Sequence, residues 1–213
     1  MALQALRPLV RPLMYIIAGY LSGSVLYARV FARLLHKENI IEESSDHNPG
    51  TANAFKHGGL LCGVLTLVCD LLKSFLPVFM FVTFASQRQA DGAALALVMA
   101  APVLGHVLPL FYHFQGGKGI AASFGSLLGL LPTWQPVGLL VVLFLFFSLI
   151  LKITPHYQRT LVTYGCGQVG MFFVAETMAV AVGFFMISLM IILKMLSSKE
   201  EKEPMGVQLL WMR

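Results

Sequence analysis

Two short stretches of the chain carry residues suited to phosphate chemistry. The first, "NPGTAN" at 48–53, sets a Pro-Gly turn between Asn48 and Asn53, with Gly50 allowing close approach. Backbone N–H groups in such a turn form a nest for an anion, and a helix starting just behind it adds its positive end. The second, "FQGGKGIAASFG" at 114–125, places Lys118 among Gly116, Gly117 and Gly119, so bare backbone and a cation can reach one ligand. It is not a Walker A loop, because the G-x-x-x-x-G-K-[ST] spacing is absent. For each stretch the plain alternative is a turn, in the second case with a lysine snorkelling to lipid headgroups.

A third set of polar residues lies inside apolar runs: Ser22 and Ser24 in "GYLSGSVLYAR", Asp70 and Lys73 in "CDLLKSF", and His106 in "LGHVLPLF". Asp70 and Lys73 have the helical spacing that puts two side chains on one face as an ion pair. Ionisable groups within a span are costly, which makes a functional role the first hypothesis and a helix-locking pair the second. Ser24 could equally pack between helices, and His106 could donate one structural hydrogen bond.

Other chemistries lack their residues. Neither a Ser-His-Asp order nor a His-x-x-x-x-Asp acyltransferase signature is visible. His106 and His113 are separated by Pro109, and Cys62, Cys69 and Cys166 sit at spacings that fit no zinc or redox motif. No metal-ligand set is visible. Catalysis would have to rest on positioning and on stabilisation of charge.

The elements that must position these residues belong to a bilayer. Of 213 residues, 57% are hydrophobic and 12% charged, with a mean hydropathy of +0.78; soluble domains are closer to a quarter charged. The pattern predicts an all-α, polytopic integral membrane helical bundle of about seven transmembrane helices. Spans are expected near 13–35, 58–85, 93–113, 118–131, 136–151, 161–175 and 177–196. The whole chain, 1–213, reads as a single transmembrane domain with a polar cytoplasmic tail at 197–213. The net charge of +5 is spread over segment ends, which suits anionic membrane lipids as partners and argues against nucleic acid. With an outside N-terminus, Arg29, Arg33, Lys37, Lys56, Lys118, Lys152 and Arg159 all fall inside, placing the loops at 36–57, 114–118 and 152–160 in the cytoplasm.

From about residue 18 to 130 the chain resembles the bacterial acyl-phosphate:glycerol-3-phosphate acyltransferase family, PlsY. "GYLSGSVLYARVFARL" is similar to its opening Gly-Ser helix, "NPGTAN" to its N-P-G-A-T-N loop, and "LVCDLLKSFLPV" to its D-x-x-K-G-x-x-P helix. "VLGHVLPLFYHFQGGKGIAASFG" matches its G-H-x-x-P…F-x-G-G-K-G-x-A-T segment, with His106, Pro109, Phe114 and Lys118 in register. The resemblance implies a seven-helix enzyme of the bacterial inner membrane with its site on the cytoplasmic face. It would transfer a fatty acyl group from acyl phosphate to the 1-hydroxyl of glycerol 3-phosphate, giving lysophosphatidic acid for phospholipid synthesis. It would need no cofactor, because a substrate phosphate oxygen accepts the proton. Carried over by position, Ser24, Lys118 and His106 would be catalytic. Asn48, Gly50, Asn53, Asp70, Lys73, Gly116, Gly117, Gly119 and Ser123 would bind or support the substrates.

Departures from the family pattern sharpen the question of activity. The arginine before its loop aligns with Glu42, its loop glycines with Ser45, Asp46 and His47, and its loop threonine with Ala52. The threonine after GGKG is Ala122, with Ser123 one residue later, and the C-terminal H-R-x-N-I segment is missing. Arg159 is the nearest candidate to compensate for a lost cation. Exchanging a phosphate-binding arginine for a carboxylate should weaken an anion site. Two rival readings follow: an acyltransferase for a different phosphorylated acceptor, and a non-catalytic paralogue that binds lipid or a phosphorylated ligand.

Overall fold

The computed structural model describes residues 2–37, 44, 48–86, 92–198 and 203–210. Helices α1 (Ala2–Gly23) and α2 (Tyr27–Leu34) are separated by a non-helical step at Ser24–Leu26. They are followed by α3 (Thr51–Phe84), α4 (Ala93–Val107) and the short α5 (Ile120–Leu128). Helix α6 (Gln135–Leu145) runs through a π-helical turn at Phe146–Ile150 into strand β1 (Leu151–Thr154). Helices α7 (His156–Val174) and α8 (Met178–Leu196) complete the bundle, and strand β2 (Gly206–Leu209) closes the described chain.

Each expected span falls on helix, although the first, 13–35, is divided between α1 and α2 by the step at Ser24–Leu26. Among the described residues, the stretches Val10–Leu34, Thr51–Phe84, Ala93–Tyr112 and Met178–Leu196 are long and apolar enough to cross a membrane. The fourth expected span is only the nine residues of α5, about 13 Å at helical rise, and it packs against α3 within the bundle. Helix α3 shows how the bilayer sorts side chains. Leu60, Val64, Val68, Leu72, Leu76 and Met80 recur at helical spacing along an exposed stripe. Asp70, Lys73, Ser74, Pro77 and Phe81 occupy the buried face. An exposed apolar stripe with charge inside is the arrangement lipid demands.

Helix α3 is broken at Gly59, whose φ of 82° and ψ of 179° lie outside helical space. The first limb, 51–58, folds back along the second. Thr51 Oγ1 donates to Asp70 Oδ2 at 3.3 Å, whereas those positions in a straight helix would lie about 28 Å apart. The Phe55 ring fills the space beside Gly63. The expected span at 58–85 thus begins where the second limb does.

Close backbone approach sets the contact between α1 and α4. A Cβ on Gly23 would collide with the Pro102 carbonyl, and one on Gly105 with the Tyr20 carbonyl and the Ser24 amide. Small residues let membrane helices meet this way. Around them the core is filled by Met99, Leu140, Tyr164, Phe184 and Ile187.

The tail holds a feature that the hydropathy pattern did not signal. Gly206–Leu209 pairs antiparallel with Leu151–Thr154, with Lys152 opposite Gln208 and Thr154 opposite Gly206. The helical class stands, with this two-stranded ribbon added to it.

Gly105→Val should lower the thermal midpoint of the detergent-solubilised protein, costing about 1–3 kcal/mol through overpacking. Gly165→Ala, in α7 with nothing within 4 Å of the added methyl, should leave the midpoint unchanged or raise it slightly.

Candidate functional site

The ends of α1, α4 and α8 and the starts of α2, α3, α5 and α7 gather on one side of the bundle, around two cavities. The larger, about 490 Å³, is bounded on its polar side by Asn48, Thr51, Asn53, Asp70, His106 and Lys118. Its remaining wall is apolar, with Phe55, Leu67, Ile120, Ala121 and Phe124. The smaller, about 370 Å³, is lined by Arg29, Lys118 and Lys194 together with Asn48, Gly116, Ser197 and Ser198. Asn48 and Lys118 belong to both, so the two polar bends share a wall.

The larger cavity receives three helix starts. Gly50 caps α3, Gly119 caps α5 and Pro155 caps α7, and none of these caps bonds the first turn through a side chain. Thr51 to Asn53, Ile120 with Ala121, and His156 line the cavity directly behind those caps. First-turn N–H groups without intrahelical partners, at the positive end of a helix, favour an anion. The loop before α3 is braced from within. Asn53 Nδ2 donates to the Asn48 carbonyl at 2.8 Å, and the Gly50 amide donates to the same oxygen at 2.9 Å.

The Gly-Gly-Lys-Gly turn is held by α4. The Gly117 amide donates to the His106 carbonyl at 3.1 Å, and a Cβ on Gly117 would fall on His106 Nε2. Gly116 is pressed against the His106 carbonyl and Pro109, and Gly119 sits at a φ of 85°. Gly117 therefore anchors the turn, and its amide is not offered to a ligand. The glycines are needed for close packing, which aims Lys118 into both cavities.

Behind the larger cavity lies a buried polar hub. Lys73 Nζ stands 2.7 Å from Asp70 Oδ1, donates to the Val25 carbonyl at 2.7 Å and lies 2.8 Å from His106 Nδ1. An ammonium only donates, so His106 Nδ1 accepts and the ring proton sits on Nε2. His106 is then a hydrogen-bond donor toward Gly117 and the cavity, and it is poorly placed to act as a base. Lys73 also lies 5.7 Å from the centre of the Tyr27 ring.

Several residues expected at the site stand elsewhere. Ser24 is fully buried; its Oγ donates to the Tyr20 carbonyl at 2.8 Å and accepts from the Leu110 amide at 3.2 Å. It lines neither cavity and serves to close the break between α1 and α2. Ser123 is likewise buried, donating to the Ile120 carbonyl at 2.8 Å and lying 2.5 Å from the Tyr164 hydroxyl. Lys73 supports the site from behind, and Arg159 lines neither cavity. Glu42, Ser45, Asp46 and His47 lie outside the described residues. Conversely, Arg29, Lys194, Thr51, Lys56 and His156 line the cavities although none was expected from the sequence as a site residue. In one dimension Arg29 and Lys194 look like ordinary cations at span ends. A threonine directly after N-P-G was the one local signal available for Thr51.

The family model for glycerol-3-phosphate acyltransferases matches residues 13–201. The chain belongs to that family. Among the family's curated members it is 37% identical to the glycerol-3-phosphate acyltransferase of Mycoplasma pneumoniae over 147 residues, covering 64% of this chain and 60% of that one. With the enzyme of Actinobacillus pleuropneumoniae serotype 5b it shares 37% identity over 131 residues, covering 62% and 64% respectively. The chain thus spans between 60% and 64% of the length of these relatives. Its fold is similar to crystal structures of PlsY, an integral membrane glycerol 3-phosphate acyltransferase. The glycerol 3-phosphate form has a TM-score of 0.73 at 26% identity, covering 86% of this chain and 88% of that one. The lysophosphatidic acid form has a TM-score of 0.72 at 25% identity, covering 86% and 87%. Like PlsY, the chain is a polytopic, helical integral membrane protein.

Removing one member of the buried pair strands the other in a low-dielectric core. Asp70→Asn and Lys73→Met should each destabilise the protein by about 3–5 kcal/mol, measured by denaturation in detergent. The double variant should lose much less than the sum of the two, which is the signature of a direct pair.

Proposed function

We propose that this protein transfers a fatty acyl group from acyl phosphate to the 1-hydroxyl of glycerol 3-phosphate, at the cytoplasmic face of a bacterial plasma membrane. The observation that carries this reading is the shared wall: Asn48 and Lys118 border both a strongly cationic chamber and a cavity that is polar on one side and apolar on the other. The proposed donor has the same division, with a phosphate at one end and a hydrocarbon chain at the other, and the acceptor brings a second phosphate. Family membership and the fold of PlsY support the reaction. The cytoplasmic assignment follows the inside placement of Arg29, Lys56, Lys118 and Lys152. On this reading residues 1–213 act as one transmembrane domain, with 197–213 on the same face, and surrounding lipid takes up the product.

In the proposed reaction the glycerol hydroxyl attacks the acyl carbonyl carbon, forming the ester C–O bond. The bond from that carbon to the phosphate oxygen breaks, and the hydroxyl proton passes to a phosphate oxygen, so inorganic phosphate departs. The base is the substrate's own, which suits a site whose His106 has Nδ1 engaged by Lys73. Lys118 offsets negative charge shared between the two phosphates. Arg29 and Lys194 add cationic contacts that the Glu42 position cannot supply. Asn48, Gly50 and Asn53 shape the acceptor loop, and Gly116 and Gly119 let it close on Lys118. Asp70, Lys73, Gly117, Ser24 and Ser123 act as positioning groups behind it.

Purified protein given acyl phosphate and labelled glycerol 3-phosphate should form lysophosphatidic acid. Lys118→Ala should cut kcat/KM by about a hundredfold or more, as loss of a charge-stabilising donor does. Lys194→Ala should raise the KM for a phosphorylated substrate by about tenfold. Ligand binding without turnover by well-folded protein would refute the reading, as would turnover with another phosphorylated acceptor alone.

A further inference from the structure

The apolar wall of the larger cavity has a braced end. Phe55 comes from the folded-back limb of α3, Leu67 from its second limb, and Ile120, Ala121 and Phe124 from α5. Ile120 and Phe124 both pack against the protein core, and Phe124 is the aromatic one of the two. Its ring packs on Phe144 of α6 with centroids 5.6 Å apart, and Phe144 meets Tyr164 of α7 at 5.9 Å. Tyr164 in turn stacks on Phe184 of α8 at 6.0 Å. The neighbouring residue, Ser123, ties α5 to the Tyr164 hydroxyl. Three helices therefore stand behind one ring. Phe124 is half-buried, and moving its ring inward would displace this aromatic stack.

Such a wall discriminates. An alkyl chain whose head is held near Lys118 gains apolar contact with each added carbon until it meets a surface that cannot yield. Beyond that point, further carbons must bend away or leave the cavity. We propose that Phe124 terminates the acyl-chain path and sets the chain length this protein accepts. Rested on the acyl transfer proposed above, this makes Phe124 a specificity-determining residue. It assigns the linear alkyl chain of the donor to the space between α3 and α5.

The test separates chain recognition from turnover. Alkyl phosphates of increasing length, which carry no transferable acyl group, are used to displace a fluorescent fatty-acid probe from the full-length protein in detergent. For the unmodified protein, affinity should rise by about fourfold per methylene and then level off at a break point. Phe124→Ala should move that break to longer chains, and Phe124→Trp to shorter ones. Phe124→Leu, which keeps the core filled, should give an intermediate shift; a monodisperse elution profile confirms that each variant is folded. Chain-length profiles of kcat/KM for acyl phosphates should move in the same directions. An unmoved break point in all three variants would overturn the proposal, as would a uniform loss of affinity at every length. Shifted break points in a protein without acyl transfer would keep Phe124 as the chain stop while refuting the reaction.

Discussion

A carboxylate and an ammonium buried in a membrane protein must satisfy each other and their remaining hydrogen-bonding capacity, because lipid offers none. Asp70 and Lys73 meet that condition with groups from three separate parts of the chain. Lys73 reaches the Val25 carbonyl in the break between α1 and α2, and the His106 ring near the end of α4. Asp70 accepts from Thr51 at the start of the folded-back limb of α3. The Lys73 carbonyl accepts from Ser22 at 2.9 Å. The requirement to pair one charge couples a helix break, a helix reversal and a helix terminus, and these are the features that shape the cavities.

The reversal of α3 has the largest consequence. It carries Asn48 to Asn53 back along the second limb, opposite the Gly-Gly-Lys-Gly turn, which is itself seated on α4 through the Gly117 amide and the His106 carbonyl. Positive potential then accumulates from different sources: uncapped helix starts at Gly50, Gly119 and Pro155, and side-chain cations at Arg29, Lys118 and Lys194. Fixed dipoles and charges of this kind stabilise the negative charge of phosphate oxygens. A site built this way can polarise and hold anionic substrates without contributing a proton acceptor of its own.

The two cavities differ in character because different helices line them. The cationic chamber draws on α2, the loop after α4 and the end of α8, where cations sit at span termini. The larger cavity lies between α3 and α5, and its apolar wall includes Phe124, which is backed by Phe144, Tyr164 and Phe184. An amphiphilic ligand meets both without leaving the protein.

Composition and spacing alone determined the membrane class, the positions of the helices, the two glycine-bearing bends and the Asp70–Lys73 pair. These are properties of local sequence: hydropathy over a span, turn residues that permit a bend, and helical spacing that puts two charges on one face. Tertiary structure decided which residues enter the cavities. Ser24 and Ser123, polar residues in the right motifs, are consumed by backbone and tyrosine partners, while Arg29 and Lys194 are drawn in from opposite ends of the chain. The reversal at Gly59 and the pairing of Gly206–Leu209 with Leu151–Thr154 belong to the same category. Each depends on a partner distant in sequence, and a one-dimensional pattern carries no record of which distant groups satisfy one another's hydrogen bonds and charge.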